Sequence, residues 1–434
     1  MFLFKQKKKQ RACVIGLDGV PHSMLLDLAG KGVMPATAGL LASGHLHRMR
    51  ASLPEISAVS WTDFMTGSNS GTHGIFGFTD FKPGSYELRF PNFGDLKAKT
   101  FWDTLESGGR KSIVINQPST YPARPIGGVL VSGFVALDMA RAVQPPTYRA
   151  ALDRMGYRID IDTLKARDDA GFFWQELDRT TSGREKALDF FWGEEWDYFE
   201  LVVTGTDRLH HFLWNAYEDT GDPHHKAFLD YYRRVDGIIA KASTAFRKLA
   251  GGDEGFYLMS DHGFTGIVQE VYLNAWLEKE GLLAFAVPSP KGLEDIAPST
   301  RAFALDPNRI YLNLEGKFPS GSVEPAAKRV LLDEIAAKLE RLEYDGRKVV
   351  RKVFRAEDVY SGPLVPRGPD LIVVGEYGFD MKGSVKKKEV FGRSSLQGMH
   401  TWDDAMFWSA SEEGPDLAIS DLAPIILKNF PGAP

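Results

Sequence analysis

Residues 255–266 read "GFYLMSDHGFTG". An apolar run stops on a charged pair, Asp261 and His262, and a glycine follows. The run "GFYLMS" shows no alternation of polar and apolar side chains, as expected of a strand covered on both faces. A buried strand that finishes on Asp-His is either turning or presenting the pair to something. Gly263 is expected to let the chain turn away at once. If the pair binds a cation, further ligands should stand at the ends of other strands.

Other runs of the same kind lie along the chain. They are "ACVIGL" (12–17), "KSIVINQ" (111–117), "GVLVSGF" (128–134), "YFELVVTG" (198–205), "RIYLNL" (309–314) and "DLIVVG" (370–375). Helical patterns lie between them. "PHSMLLDLAGKG" and "TFWDTLESGGRK" run into glycine, a common helix stop. "RVLLDEIAAKLERLE" (329–343) repeats apolar residues at three and four, with charges opposite. Alternating strands and helices predict an α/β fold with a large, mostly parallel sheet and helices on both faces. Residues 11–434 are expected to form one catalytic domain after a basic tail at 1–10. Two additions interrupt the plan. Residues 135–190 are polar and irregular, and a second segment from about 285 to 365 opens with a Pro- and Gly-punctuated loop over about 285–308. In an α/β enzyme such additions often overhang the site.

Composition narrows the class. The chain has 434 residues, 43% hydrophobic and 25% charged, which excludes a disordered chain. A net charge of −5 gives no reason to expect nucleic acid as the main partner. The one cysteine, Cys13, lies in an apolar run and reads as a core thiol. No segment is apolar for long enough to span a membrane. "MFLFKQKKKQR" has its charges after its apolar tip, unlike a signal peptide. It reads as a solvated tail, or as a weak contact for an anionic surface. The cytoplasm is the default expectation.

Three aspartates follow strand-like runs: Asp18 after "VIGL", Asp207 after "ELVVTGT", and Asp261 after "FYLMS". Ligands bind outside the carboxyl ends of parallel strands, so the three can converge on one crevice. Alone, "DG" at 18–19 is equally a turn. His262 adjoins Asp261. His211 is four residues from Asp207 and His210 three, so either shares its helical face. His400 sits in a late loop, "QGMHTWDD". Aspartates and histidines without thiolate suit Zn²⁺, Mn²⁺ or Fe better than Ca²⁺. Six ligands are too many for one catalytic zinc and suit two metals a few ångströms apart.

A nucleophile is offered by "ISAVSWTDFMTG", in which Ser57 opens a helix that Gly67 closes. Serine is a favoured N-cap. The same position also places a hydroxyl where free N–H groups and the helix dipole favour phosphate. Capping and catalysis both remain open for Ser57 on this ground alone.

The order "GLDG", "SAVSWTDFMTG", "HGIFGF", "DRLHH", "SDHGF" and "GMH" resembles the alkaline phosphatase superfamily. The resemblance is to its type I phosphodiesterase and nucleotide pyrophosphatase branch, and to bacterial proteins described as predicted phosphohydrolases or phosphomutases. It runs from about residue 12 to "DLAPIIL" and implies the three-layer α/β/α fold of that superfamily. It implies that Asp18, Asp261 and His262 hold one metal and Asp207, His211 and His400 the other. Zinc is the first expectation and manganese the second. It makes Ser57 the nucleophile, nine positions before Thr66. Relatives carry an asparagine three residues after the nucleophile, which contacts phosphate. Here that place is Ser60, a substrate-binding candidate with one donor where an amide has two. No arginine stands out as a phosphate clamp. His73 reads as a structural histidine, His224 and His225 as solvated, His45 and His47 as neighbours on a strand face, and Trp61 and Trp402 as packing.

The implied activity is hydrolysis of a small phosphate mono- or diester through a phosphoserine. A phosphomutase of the cofactor-independent phosphoglycerate mutase type shares the two-metal core and a serine. A sulfatase is a weaker alternative, because Cys13 lacks the Cys/Ser-x-Pro-x-Arg setting. A non-catalytic metal-containing binding protein is the remaining alternative.

Overall fold

The computed structural model describes residues 10–432. The basic tail, and the membrane-surface contact read into it, lie almost wholly outside the described residues. Among those residues no helix is long and apolar enough to cross a membrane.

The central sheet has eight strands. Across it they run His45–Met49, Ala405–Ser409, Phe256–Met259, Ala12–Leu17, Tyr198–Val203, Ser112–Gln117, Gly128–Ser132 and Val143–Gln144. The five from Phe256–Met259 to Gly128–Ser132 are parallel. Ala405–Ser409 and Val143–Gln144 run antiparallel to their inner neighbours. The strand Ala12–Leu17 shows why its sequence does not alternate. Cys13, Ile15 and Leu17 pack into one core with the long helix His225–Ala250. Ala12 and Val14 pack into another with Trp61, Phe64 and Met65 of the helix Ser57–Thr66. Both faces are buried, so both sets must be apolar. Cys13 is a buried free thiol. This is the expected three-layer α/β/α arrangement.

The helix Ser57–Thr66 comes close to the sheet because Gly16 lacks a side chain. A Cβ there would lie 2.5 Å from the Trp61 ring. The helix ends at Gly67, whose φ of +58° favours glycine.

A second hydrophobic core gathers residues between Val271 and Val390, with Phe81 and Tyr86. Its sheet is Ala302–Leu305, Arg309–Leu312, Leu371–Gly375 and Val350–Arg355, with antiparallel neighbours. The helix Lys328–Leu339 contributes Leu331, Leu332, Ile335 and Leu339 to the core.

Three local expectations differ from the structure. The runs at 309–314 and 370–375 are strands, but of this antiparallel sheet. An apolar run reports burial on both faces, not strand direction. Residues 135–190 are not irregular, since Arg149–Met155 and Ala170–Trp192 are helices. The longer one starts at Asp169, whose side chain accepts from Phe172 N at 2.9 Å, a cap that contributes about 1 kcal/mol. The loop read at 285–308 contains the strand Ala302–Leu305.

Candidate metal centre and nucleophile

Three adjacent parallel strands end at one edge of the sheet, and each delivers a carboxylate there. The register pairs Leu17 with Val203 and Gly16 with Met259, so the three ends are level. Asp18 follows the first strand directly. Asp207 lies in the first turn of the helix Gly205–Leu213. Asp261 follows Met259 and Ser260. Gly19 has a φ of +67°, so "DG" is a turn. The turn also belongs to the site, because Gly19 N donates to Asp261 Oδ1 at 3.0 Å.

Gly263 does not turn the chain away. Residues Gly263–Gly266 continue as a strand paired with Gly398–Thr401, and His400 lies opposite Phe264. What glycine provides is space, since a Cβ at 263 would lie 2.4 Å from Thr401 Oγ1. That close pairing brings His400, far away in sequence, back to His262. The two imidazole rings stack with centroids 3.6 Å apart.

His262 Nε2 is 3.3 Å from Asp261 Oδ2, 3.6 Å from Asp18 Oδ1 and 4.0 Å from Asp207 Oδ1. His400 Nε2 is 3.2 Å from Asp207 Oδ1 and 3.0 Å from His211 Nε2. His211 Nε2 is 3.4 Å from Asp207 Oδ1. Two ligand groups overlap at His262: Asp18, Asp261 and His262, and Asp207, His262 and His400.

The other nitrogen of each histidine fixes the chemistry. Nδ1 of His262, His400 and His211 faces the carbonyl of Gly263, Glu55 and Gly398 at 3.0, 2.7 and 3.0 Å. A carbonyl only accepts, so each Nδ1 carries the proton and each Nε2 presents a lone pair. Lone pairs of nitrogen and carboxylate oxygen therefore face one another across the centre. That arrangement is repulsive unless a positive charge lies among them. Asp261 Oδ2 is buried and has no hydrogen-bond partner. An orphaned buried carboxylate oxygen is costly, and the donor set fits divalent cations that accept nitrogen and oxygen.

The electrostatics agree. Burial, then the charges of Asp261 and Asp207, push Asp18 well above the usual carboxylate range. Burial pushes Asp261 up to about 7, with the Asp207 charge adding to it. Asp207 differs: burial acts to raise it, yet it lies well below its ordinary value, with the charge of Arg208 among the causes. Burial, first among the causes, lowers both His262 and His400.

Ser57 stands at the rim of this group. It is the first residue of its helix, and Ile56 is the cap residue, without a side-chain cap bond. The Ser57 hydroxyl therefore does not cap. It lies 3.2 Å from Asp18 Oδ1, to which it donates, and 3.2 Å from His262 Nε2. Trp61, four residues on, packs on Gly16 and directs Nε1 to Asp18 Oδ2 at 3.4 Å.

Residues outside the group have partners of their own. His210 is buried, with Nδ1 donating to Gly19 O at 2.9 Å and Nε2 2.6 Å from the Tyr232 hydroxyl. Of the two adjacent histidines, His211 is the one that reaches the centre. His73 pairs with Asp63 at 2.6 Å. His225 Nδ1 bonds the Ala216 carbonyl, and His224 meets Trp174 Nε1. Ser60 is fully buried, and its Oγ accepts from Ser52 N at 3.3 Å. That bond ties the loop before the helix to it.

Arg208 escaped the sequence reading. Its Nη1 donates to Asp207 Oδ2 at 2.8 Å, and its Nη2 donates to Asp160 Oδ2 at 2.7 Å. Its place beside Asp207 in "DRLHH" was the available signal. Its anchor Asp160 comes from the 135–190 segment and was not foreseeable.

No curated protein sequence matches the chain significantly. The overall fold matches a phosphonoacetate hydrolase from Sinorhizobium meliloti 1021, solved in complex with phosphonoacetate. The TM-score is 0.65 at 16% identity, covering 97% of this chain and 96% of that one. Murine ectonucleotide pyrophosphatase/phosphodiesterase 5, solved as an inactive variant with AMP, gives a TM-score of 0.55 at 14% identity, covering 97% and 94%. The human counterpart gives 0.56 at 15%, covering 96% and 94%. At these identities the likeness shows the fold alone. The family model described as type I phosphodiesterase / nucleotide pyrophosphatase matches residues 12–403. With nearly its whole length matched, the chain belongs to the type I phosphodiesterase / nucleotide pyrophosphatase family, whose members are phosphoric ester hydrolases.

Proposed function

We propose that the chain hydrolyses a small phosphate ester with Ser57 as nucleophile, beside a pair of divalent cations, zinc first and manganese second. The observation that carries this is the Ser57 hydroxyl, 3.2 Å from both Asp18 Oδ1 and His262 Nε2 and freed from capping. Asp18, Asp261 and His262 would hold one cation, and Asp207, His211 and His400 the other. When bound, such a pair supplies neutralisation of phosphate charge and a lower pKa for the oxygen beside it.

The chain's own residues do the positioning. The start of the helix Ser57–Thr66 directs N–H groups and a positive dipole end at the place where phosphate would sit. Asp18 and His262 orient the Ser57 hydroxyl toward phosphorus. The Ser57 oxygen attacks phosphorus in line as its O–H bond breaks; the bond from phosphorus to the ester oxygen breaks, the hydroxyl proton passes to solvent, the alcohol leaves with a proton taken from solvent, and Ser57 becomes phosphoserine. Water then attacks that phosphorus, the bond to the Ser57 oxygen breaks, that oxygen takes up a proton and inorganic phosphate leaves. Arg208 keeps Asp207 ionised and fixed in place. Most of the rate comes from position and charge.

Rapid quenching of the metal-replete enzyme with an ester, followed by peptide mass spectrometry, tests this. One phosphoryl group on the Ser57 peptide is expected. Turnover without that adduct, and unchanged in Ser57→Ala, would contradict it. Release of inorganic phosphate without an acceptor is the expected result against the phosphomutase alternative.

A further inference from the structure

A crevice of about 80 Å³ opens beside His211 and His400. Glu55, Asn308, Asp380 and Lys382 supply its polar wall. Asn308 stands in the turn between the strands Ala302–Leu305 and Arg309–Leu312, and Asp380 and Lys382 belong to the strand Phe379–Lys382. The second core therefore reaches the metal centre here.

The position suits a departing alcohol. The Ser57 hydroxyl touches Asp18 and His262. Displacement at phosphorus is in line, so the ester oxygen departs on the side away from Ser57. The crevice opens beside the other histidine pair, whose Nε2 atoms are 3.0 Å apart.

Its wall has one unmet need. Asn308 is 1% exposed, and its Nδ2 donates to Glu55 Oε2 at 2.8 Å. Its Oδ1 is buried without a hydrogen-bond partner. Lys382 Nζ donates to Asp380 Oδ2 at 2.6 Å, which uses one of three ammonium protons. An anionic leaving group would meet two carboxyl groups against one ammonium. An apolar one would leave Asn308 Oδ1 unpaired, which is costly in a buried place. A hydroxyl can donate to Asn308 Oδ1, and a second can accept from Lys382. Met381 and Met399 offer carbon surface to the chain between them. A space of this volume holds about five water-sized groups, which is the size of a three-carbon polyol.

We infer that the alcohol released from the ester is a small polyol, whose hydroxyl groups bind Asn308 and Lys382 in this crevice while its ester oxygen faces His211 and His400. The inference rests on the assignment of Ser57 above, which sets the side of departure. It makes Asn308 a specificity residue for the leaving alcohol.

The test compares glycerol phosphate with propyl phosphate, each as monoester and as methyl diester, on the metal-replete enzyme. The two alcohols differ by two hydroxyl groups. Wild type is expected to favour the glycerol ester in kcat/KM, and Asn308→Ala to cut the glycerol-to-propyl ratio about tenfold, the worth of one hydrogen bond. Comparing ratios between variant and wild type cancels the intrinsic reactivity of the two esters. A ratio unchanged in the variant overturns the proposal, as does a wild-type preference for the propyl ester. Should Asn308→Ala fold poorly, capture of the phosphoryl group by added alcohol reads the crevice in the unaltered protein. In that step the alcohol oxygen attacks phosphorus and its proton passes to solvent. The bond to the Ser57 oxygen breaks, and that oxygen takes up a proton. With 4-nitrophenyl phosphate as donor and equal concentrations of glycerol and propanol, glycerol phosphate is expected in about tenfold excess over propyl phosphate. Capture by glycerol no greater than by propanol overturns the proposal. Dihexanoylphosphatidylglycerol, supplied beside glycerol phosphate, separates a lipid headgroup from a free polyol ester. Preferential release of glycerol from either supports the crevice. If no ester is turned over and Ser57 carries no phosphoryl group, the Ser57 assignment itself fails. Turnover of both esters with an unchanged ratio removes the polyol site only.

Discussion

Two buried clusters of aspartate and histidine lie within a few residues of the same helix, and their bonding is opposite. In the first, His73 Nε2 is 2.6 Å from Asp63 Oδ1, Ile75 N donates to His73 Nδ1 at 3.1 Å, and Ser52 Oγ donates to Asp63 Oδ2 at 2.5 Å. Every donor there meets an acceptor. In the second, three Nε2 atoms and three carboxylates point lone pairs at one another, and Asp261 Oδ2 has no hydrogen-bond partner. Residue types are alike in the two clusters, and both carboxylate sets are buried. The difference is what remains unpaired, and an unpaired buried set is where a cation belongs.

Four substitutions bear on that contrast, in order of expected effect. Ser57→Ala should lower kcat by about 10³-fold or more while bound metal stays at the wild-type level. Normal turnover would remove Ser57 from the chemistry. Asp261→Asn should cost about 10²-fold in kcat/KM and lose metal with it, because several kcal/mol of charge stabilisation depend on that ligand. In chelator the sign reverses. The variant should melt about 2 °C above chelated wild type, since the amide removes the cost of the burial and the neighbouring charge that push the Asp261 carboxyl up to about 7. A lower Tm for the metal-free variant would show that Asp261 is satisfied after all. His73→Ala should destabilise by about 3 kcal/mol, as breaking one side of a buried pair does, yet retain full metal content. Metal loss in that variant would merge the two clusters into one function. Ser60→Ala should cost about 1 kcal/mol at most and leave kcat within about twofold, because its Oγ accepts one backbone bond. A tenfold fall in activity would return Ser60 to the substrate.

The sequence carried the site further than the architecture. Asp18, Asp207 and Asp261 were legible because each follows an apolar run, and strand ends are local. Which strands are neighbours was not legible, because pairing is decided over hundreds of residues. The runs at 309–314 and 370–375 look like central parallel strands, yet both lie in the antiparallel sheet of the second core. The strand Ala405–Ser409 went unread despite being fully buried. The helix Ala170–Trp192 was missed because its buried face includes Glu176 and Arg184. Arg158 and Arg179 pair with that glutamate, and the carbonyls of Arg158 and Ile159 accept from that arginine. Burial of paired charge erases the apolar period that sequence reading depends on. Gly263 shows the same limit on a smaller scale. Its neighbours suggest a turn, but it is needed for the close approach of Thr401.

Everything proposed for the centre depends on its six side chains sharing cations, so metal stoichiometry is the most direct test. Elemental analysis of the purified chain, after dialysis and again after equilibration with Zn²⁺ or Mn²⁺, is expected to give two divalent ions per chain. The same analysis of His211→Ala is expected to give about one. A chain that retains none, takes up none and is equally inert with either ion would contradict the cation pair.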